Sequence, residues 1–108
     1  LFRLNKKQDR EKEYAWLSEM GIAGIKVDFF SGDSVSTMNY YIDLLEDAIK
    51  YKLMLNFHGA TIPRGWQRTY PHMMSIEGVY GAEWYNNAPI LTNRAAEHNA
   101  TLLLQEML

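Results

Sequence analysis

The sequence predicts an α/β fold in which helices alternate with short strands, and three observations carry that expectation. The first is the run Gly24-Ile25-Lys26-Val27-Asp28-Phe29-Phe30, apolar but for two charges towards its end. Alternation along an extended strand puts Lys26 and Asp28 on one face and Ile25, Val27 and Phe29 on the other. The second is Leu53-Met54-Leu55-Asn56-Phe57-His58-Gly59, where Leu53, Leu55 and Phe57 share a face and Asn56 and His58 share the opposite one. The third is a helical apolar stripe between the two runs. Polar side chains gathered at the C-terminal ends of successive strands, with helices between, form the active site of an α/β barrel. The chain is therefore expected to supply about two to three βα units of a (β/α)8 TIM barrel. The plainer alternative for Lys26 and Asp28 is a structural ion pair at a strand end.

In chain order, residues 5–20 read as a helix, with Asn5 as its cap and Gln8 three residues on. Tyr14, Leu17 and Met20 form the apolar stripe, and Lys6, Asp9, Lys12 and Glu13 the charged face. Gly21 stands where the helix stops, because glycine enters the left-handed C′ conformation without steric cost. After the first strand comes the turn Ser31-Gly32-Asp33-Ser34, in which Asp33 or Ser34 caps the next helix. That helix runs to about Tyr51. Met38, Tyr41, Ile42, Leu45, Ala48 and Ile49 are its buried stripe; Asn39, Asp43, Glu46, Asp47 and Lys50 face water, with Glu46 and Lys50 an i,i+4 pair. Beyond the second strand, Gly59 to Asn93 holds four glycines and three prolines, and a loop of that length is usually functional. Met73 to Val79 reads as a short third strand within it. Residues 94–108 read as a final helix with Leu102, Leu103 and Met107 apolar.

Composition narrows the classes. A hydrophobic content of 47% with 13% aromatics favours a packed interior over disorder. A net charge of −2 gives no electrostatic case for nucleic acid or a membrane surface. There is no cysteine, so a disulfide framework and a thiolate metal site are both excluded. No apolar run approaches the roughly 20 residues of a membrane helix. The chain starts at Leu1 and stops within a helical pattern, so residues 1–108 are expected to be a partial barrel domain cut at both ends, inactive alone.

Three acidic residues stand apart from the helix surfaces: Asp28, Glu77 and Glu83. Sugar cleavage uses two carboxyl groups flanking the scissile bond, one of them protonated. Lys26 on the same face should hold Asp28 ionised. Glu83 lies among Tyr80, Trp84 and Tyr85, and apolar walls raise a carboxyl pKa as a general acid requires. The bland alternative is that Glu77 and Glu83 are loop carboxylates in ordinary hydrogen bonds. His72, His98 and Trp66 read as structural, and Arg68 as a support for residues lining the site.

The run GIKVDF, then FHGA followed by RTYP, then EGVYGAE and AEHN resembles consecutive motifs of glycoside hydrolase family 97, over residues 21–104. That family comprises bacterial exo-acting α-glycosidases with a (β/α)8 catalytic barrel and flanking β-sandwich domains. The resemblance implies a piece from the middle of the barrel, a glycoside or oligosaccharide substrate, Ca2+, and a periplasmic or secreted location. It also separates two mechanistic groups. Inverting α-glucosidases carry a glutamate base directly after the histidine of the FHGA-like motif; here that position is Gly59. Retaining members, which include α-galactosidases, have an aspartate nucleophile at the strand end, matched here by Asp28. The resemblance thus implies Asp28 as nucleophile and Glu83 as acid/base. Glu77 becomes a calcium ligand, with Glu83 touching the ion as well, and Lys26 and His58 become donors to sugar hydroxyls. Trp84 and the stretch 85–93 depart from the family pattern. The rival readings are the inverting α-glucosidase and a non-catalytic carbohydrate-binding barrel.

Overall fold

The computed structural model describes residues 4–87 and 89–105. They fall into two compact units, one ending at Gly78 and one beginning at Val79.

The first unit opens with helix α1 (Lys7–Glu19). Its N-cap is Lys6, which makes no side-chain capping bond. The cap expected at Asn5 is absent because the helix begins one residue too late for that side chain to reach the free N–H groups. Its end is as the sequence indicates. Gly21 takes φ +79°, and the Gly21 and Ile22 N–H groups donate to Ser18 and Leu17 carbonyls at 3.0 Å each. Tyr14 is fully buried, whereas Met20 is 58% exposed. The place expected for Met20 on the buried stripe is taken by Arg10, one turn before Tyr14 and 2% exposed. Its Nε donates to Asp47 Oδ2 at 2.7 Å and its Nη1 to the Leu4 carbonyl at 2.9 Å.

Strand β1 (Gly24–Val27) leads to helix α2 (Val35–Lys50), capped by Ser34 Oγ, which accepts from the Thr37 N–H at 3.3 Å. Tyr41, Leu44, Leu45 and Ala48 form its buried stripe at i, i+3, i+4 and i+7. Ile49, expected within that stripe, lies a hundred degrees off Ala48 and is 55% exposed. Asp47, expected in water, is the partner of Arg10. The expected Glu46–Lys50 pair gives way to two other contacts: Glu46 accepts from the Tyr70 hydroxyl at 3.0 Å, and the Lys50 ammonium lies 5.3 Å from the Tyr51 ring centre.

Strands β2 (Met54–Phe57) and β3 (Met73–Ile76) complete a three-stranded sheet in the order β1-β2-β3, parallel throughout. Helix α2 is the crossover between β1 and β2. Residues 58–72 make the second crossover with one short 3₁₀ turn, Trp66–Arg68. Val27, Leu53, Leu55, Phe57 and Met73 pack on one face against the buried residues of α1 and α2. Phe30 stacks on Tyr41 at 4.1 Å, and Tyr41 also meets Phe57 and Trp66 at 5.1 and 4.9 Å. Trp66 is thus a packing residue.

The register between β2 and β3 contains an irregularity. Leu55 pairs with Met73, but Asn56 pairs with Ser75 and Phe57 with Ile76, so Met74 is an extra residue. Period two alone would put Met73, Ser75 and Glu77 on one face, and Met73 is in the core. The bulge breaks that alternation, turning Ser75 and Glu77 away from the core.

The second unit contains a short helix α3 (Trp84–Asn87), a 3₁₀ turn over Pro89–Arg94 and helix α4 (Ala95–Gln105). Both short pieces, Arg94 apart, lie within the stretch the sequence indicates only as loop. Tyr80 and Trp84 meet edge-to-face at 5.0 Å, and His98 Nε2 lies 2.9 Å from the Tyr80 carbonyl oxygen, a structural contact as expected. His72 is likewise structural, its Nε2 lying 2.8 Å from the Leu45 carbonyl. Leu102 is half-buried. The Leu103 side chain and Met107 lie outside the described residues. No described helix is long and apolar enough to cross a membrane.

Candidate active site

The C-terminal ends of the three strands bring four of the singled-out side chains together. Lys26 and Asp28 come from the end of β1, His58 from just beyond β2, and Glu77 from just beyond β3. Parallel pairing in register puts Lys26 beside Asn56, and the His58 N–H continues the ladder to the Val27 carbonyl at 2.8 Å. The Glu77 N–H extends the next ladder to the Phe57 carbonyl at 2.8 Å. Asn56, on the same face, accepts from Ser75 Oγ at 2.9 Å.

Asp28 is held on both carboxylate oxygens. Its Oδ1 accepts from the Phe29 N–H at 2.8 Å; its Oδ2 lies 3.0 Å from Lys26 Nζ and 3.2 Å from His58 Nδ1. Burial pushes this carboxyl up, but hydrogen bonds from Lys26, the Phe29 N–H and His58 outweigh it and hold the group below its ordinary value. Asp28 is thus ionised at neutral pH. Phe29, expected on the apolar face, instead takes a left-handed conformation with φ +65° and is 80% exposed. The strand has ended at Val27, so its alternation does not reach Phe29.

Glu77 Oε2 accepts from the Gly59 N–H at 2.9 Å and lies 3.1 Å from His58 Nδ1. Gly59 has φ +53°, and a Cβ built there would sit 3.0 Å from Asp28 Oδ1. Left-handed backbone and the aspartate beside it both favour glycine at this position. Three features of the site carry no clear signal in the sequence: the Gly59 N–H as a donor, the left-handed Phe29, and the single histidine nitrogen shared by two carboxylates.

Glu83 belongs to the second unit, where it is exposed and sits just before α3; its carbonyl accepts from the Asn86 N–H at 3.2 Å. Arg68 is exposed at the end of the 3₁₀ turn.

Carboxylate oxygens suit a hard cation such as Ca2+, which takes 6–8 oxygen ligands. Both described donors to Glu77 reach Oε2, so Oε1 is the atom it has to offer. Among the described residues no group of three or more His, Asp or Glu side chains is placed to hold a metal. Among the described residues, Glu77 thus offers a single oxygen that could turn towards such an ion.

An anionic carboxylate between cationic and N–H donors, at the carboxyl ends of parallel strands, marks an α/β core whose polar side chains gather where α/β barrels place their sites. The chain belongs to glycoside hydrolase family 97, whose profile matches residues 3–79. That match covers Lys26, Asp28, His58, Gly59 and Glu77 and stops before Glu83. A probable retaining alpha-galactosidase of Streptomyces bingchenggensis is 41% identical over 80 residues, 74% of this chain and 13% of that protein. A retaining alpha-galactosidase of Bacteroides thetaiotaomicron is 40% identical over 76 residues, 70% of this chain and 12% of that one. A crystal structure of a beta-arabinopyranosidase superposes with a TM-score of 0.72 at 47% identity, covering 75% of this chain and 13% of that one.

Proposed function

We propose that the complete protein is a retaining exo-α-glycosidase acting on α-galactosides, with Asp28 as nucleophile and Glu83 as acid/base in a (β/α)8 barrel. The observation that carries this reading is Asp28 itself, held ionised at a strand end beside a Gly59 that has no side chain to activate water. Asp28 attacks the anomeric carbon, forming an ester as the bond to the leaving oxygen breaks; Glu83 gives its proton to that oxygen. Glu83 then takes a proton from water, which attacks the same carbon and releases Asp28 as carboxylate. Lys26, half exposed beyond its contact with Asp28, donates to a sugar hydroxyl. Glu77, with Glu83, would hold Ca2+, which supplies positive charge to orient and polarise sugar oxygens.

The names of the two alpha-galactosidases support this substrate class. The arabinopyranosidase likeness favours a second reading, because β-L-arabinopyranose is α-D-galactose without its exocyclic CH2OH. Relative turnover of the two nitrophenyl glycosides by full-length protein separates them.

The mechanistic test is Asp28→Gly in full-length protein. Removing the attacking atom leaves room for a small anion while Glu83 remains. The variant is expected to lose nearly all turnover and to regain part of it with azide, giving a glycosyl azide of inverted configuration. Substantial unaided turnover in folded variant protein would overturn the assignment.

A further inference from the structure

His58 touches more of this site than a pocket-lining donor needs to. Its Nδ1 lies 3.2 Å from Asp28 Oδ2 and 3.1 Å from Glu77 Oε2, nearly equidistant from carboxylates on two different strands. A lone pair facing two anionic oxygens would be repelled, so Nδ1 carries the hydrogen, in the neutral ring or the charged one. The next residue supplies a second donor to the same Glu77 oxygen, the Gly59 N–H at 2.9 Å. The end of β2 is thereby a clamp, holding Glu77 with two donors and reaching across to Asp28 with one of them. Among the described residues, His58 is the one side chain that bonds to both carboxylates.

We propose that His58 is a positioning residue, acting through Nδ1 from the end of the central strand β2 to keep in place the Asp28 and Glu77 carboxylates, which follow the two strands on either side of it, β1 and β3. This rests on the reading of Asp28 as nucleophile. A single N–H shared between two acceptors can favour either one. When Asp28 carries full charge it draws the hydrogen; when Asp28 is esterified its demand falls and the hydrogen turns to Glu77. No proton changes owner. The shared hydrogen thus tracks the charge on Asp28 while the ring stays in place.

The test uses three variants of the full-length protein, with kcat and KM measured on a nitrophenyl α-galactoside. Asparagine places an amide N–H near the position of Nδ1, and glutamine places one near Nε2. His58→Ala and His58→Gln are expected to lower kcat by about 10²-fold, the cost of a misplaced reacting group, with little change in KM. His58→Asn should recover at least about tenfold of that loss. Recovery by glutamine and not by asparagine, or a change confined to KM, would mean that His58 acts through Nε2 on the sugar, overturning the proposal. Crystal structures of His58→Ala and His58→Asn give a readout independent of turnover. Both carboxylates should leave their positions in the alanine variant and keep them in the asparagine variant; unmoved carboxylates in His58→Ala reject the inference. Failure of the nucleophile assignment would show separately, as absence of azide rescue in Asp28→Gly.

Discussion

Lys26, the Phe29 N–H and His58 each give a hydrogen bond to Asp28, and their combined effect is read in its acid limb. A folded-state pKa below the unfolded one means the ionised form is favoured by folding. That contribution is present above the unfolded pKa and is lost as pH falls through the lower folded value. The acid limb of kcat/KM should therefore lie below the ordinary aspartate value of about 3.9 if Asp28 governs it. Lys26→Met should move the limb upwards, since one of the three lowering contacts is gone. A limb that stays put in Lys26→Met would show that another group titrates there. Gly59 gives a second residue-level expectation. Gly59→Ala must hold a Cβ 3.0 Å from Asp28 Oδ1 in a left-handed backbone, a conformation costing roughly 1–2 kcal/mol. Activity should fall about tenfold or more, with Asp28 displaced in the crystal. These polar residues were legible because they interrupt apolar runs at fixed parity. Phe29 was not, because nothing in a phenylalanine announces a positive φ; only the hydrogen bond to the preceding carboxylate supports it.

The elements were legible wherever apolar spacing was regular, as in α2 and the alternation of β1 and β2. They were less so where a polar group is buried by its partner. Arg10 occupies a core position on α1 because Asp47 on α2 and the Leu4 carbonyl satisfy its guanidinium, a pairing across 37 residues that helix periodicity cannot express. Arg10→Ala leaves Asp47 with Lys7 at 3.5 Å as its remaining cation, the Asp47 side chain being 12% exposed. The loss is expected to approach the roughly 3–5 kcal/mol of a broken buried pair. Replacing both residues by apolar ones, Arg10→Met with Asp47→Leu, should recover most of it, as measured by denaturant unfolding of the full-length protein. A double variant as unstable as Arg10→Ala would show that packing, not the stranded charge, sets the cost. The bulge at Met74 is the other hidden feature. Strict alternation would group Glu77 with the buried Met73, yet one extra residue brings it to His58 and Gly59.

At the scale of the whole molecule, β1 and β3 each keep one edge unpaired among the described residues, and Met54 and Met74 are exposed at 39% and 63%. A closed barrel would pair both edges, and the chain spans 12–13% of the length of the curated relatives it matches. The central claim, that Asp28 forms and releases a covalent bond to the sugar, is decided by stereochemistry. Two displacements at one carbon restore the starting configuration; one displacement by water inverts it. The most direct measurement is the proton NMR spectrum of the first sugar released by the full-length protein from nitrophenyl α-galactoside, recorded before mutarotation. Appearance of α-galactose first is the expected result; β-galactose first would contradict a nucleophilic Asp28.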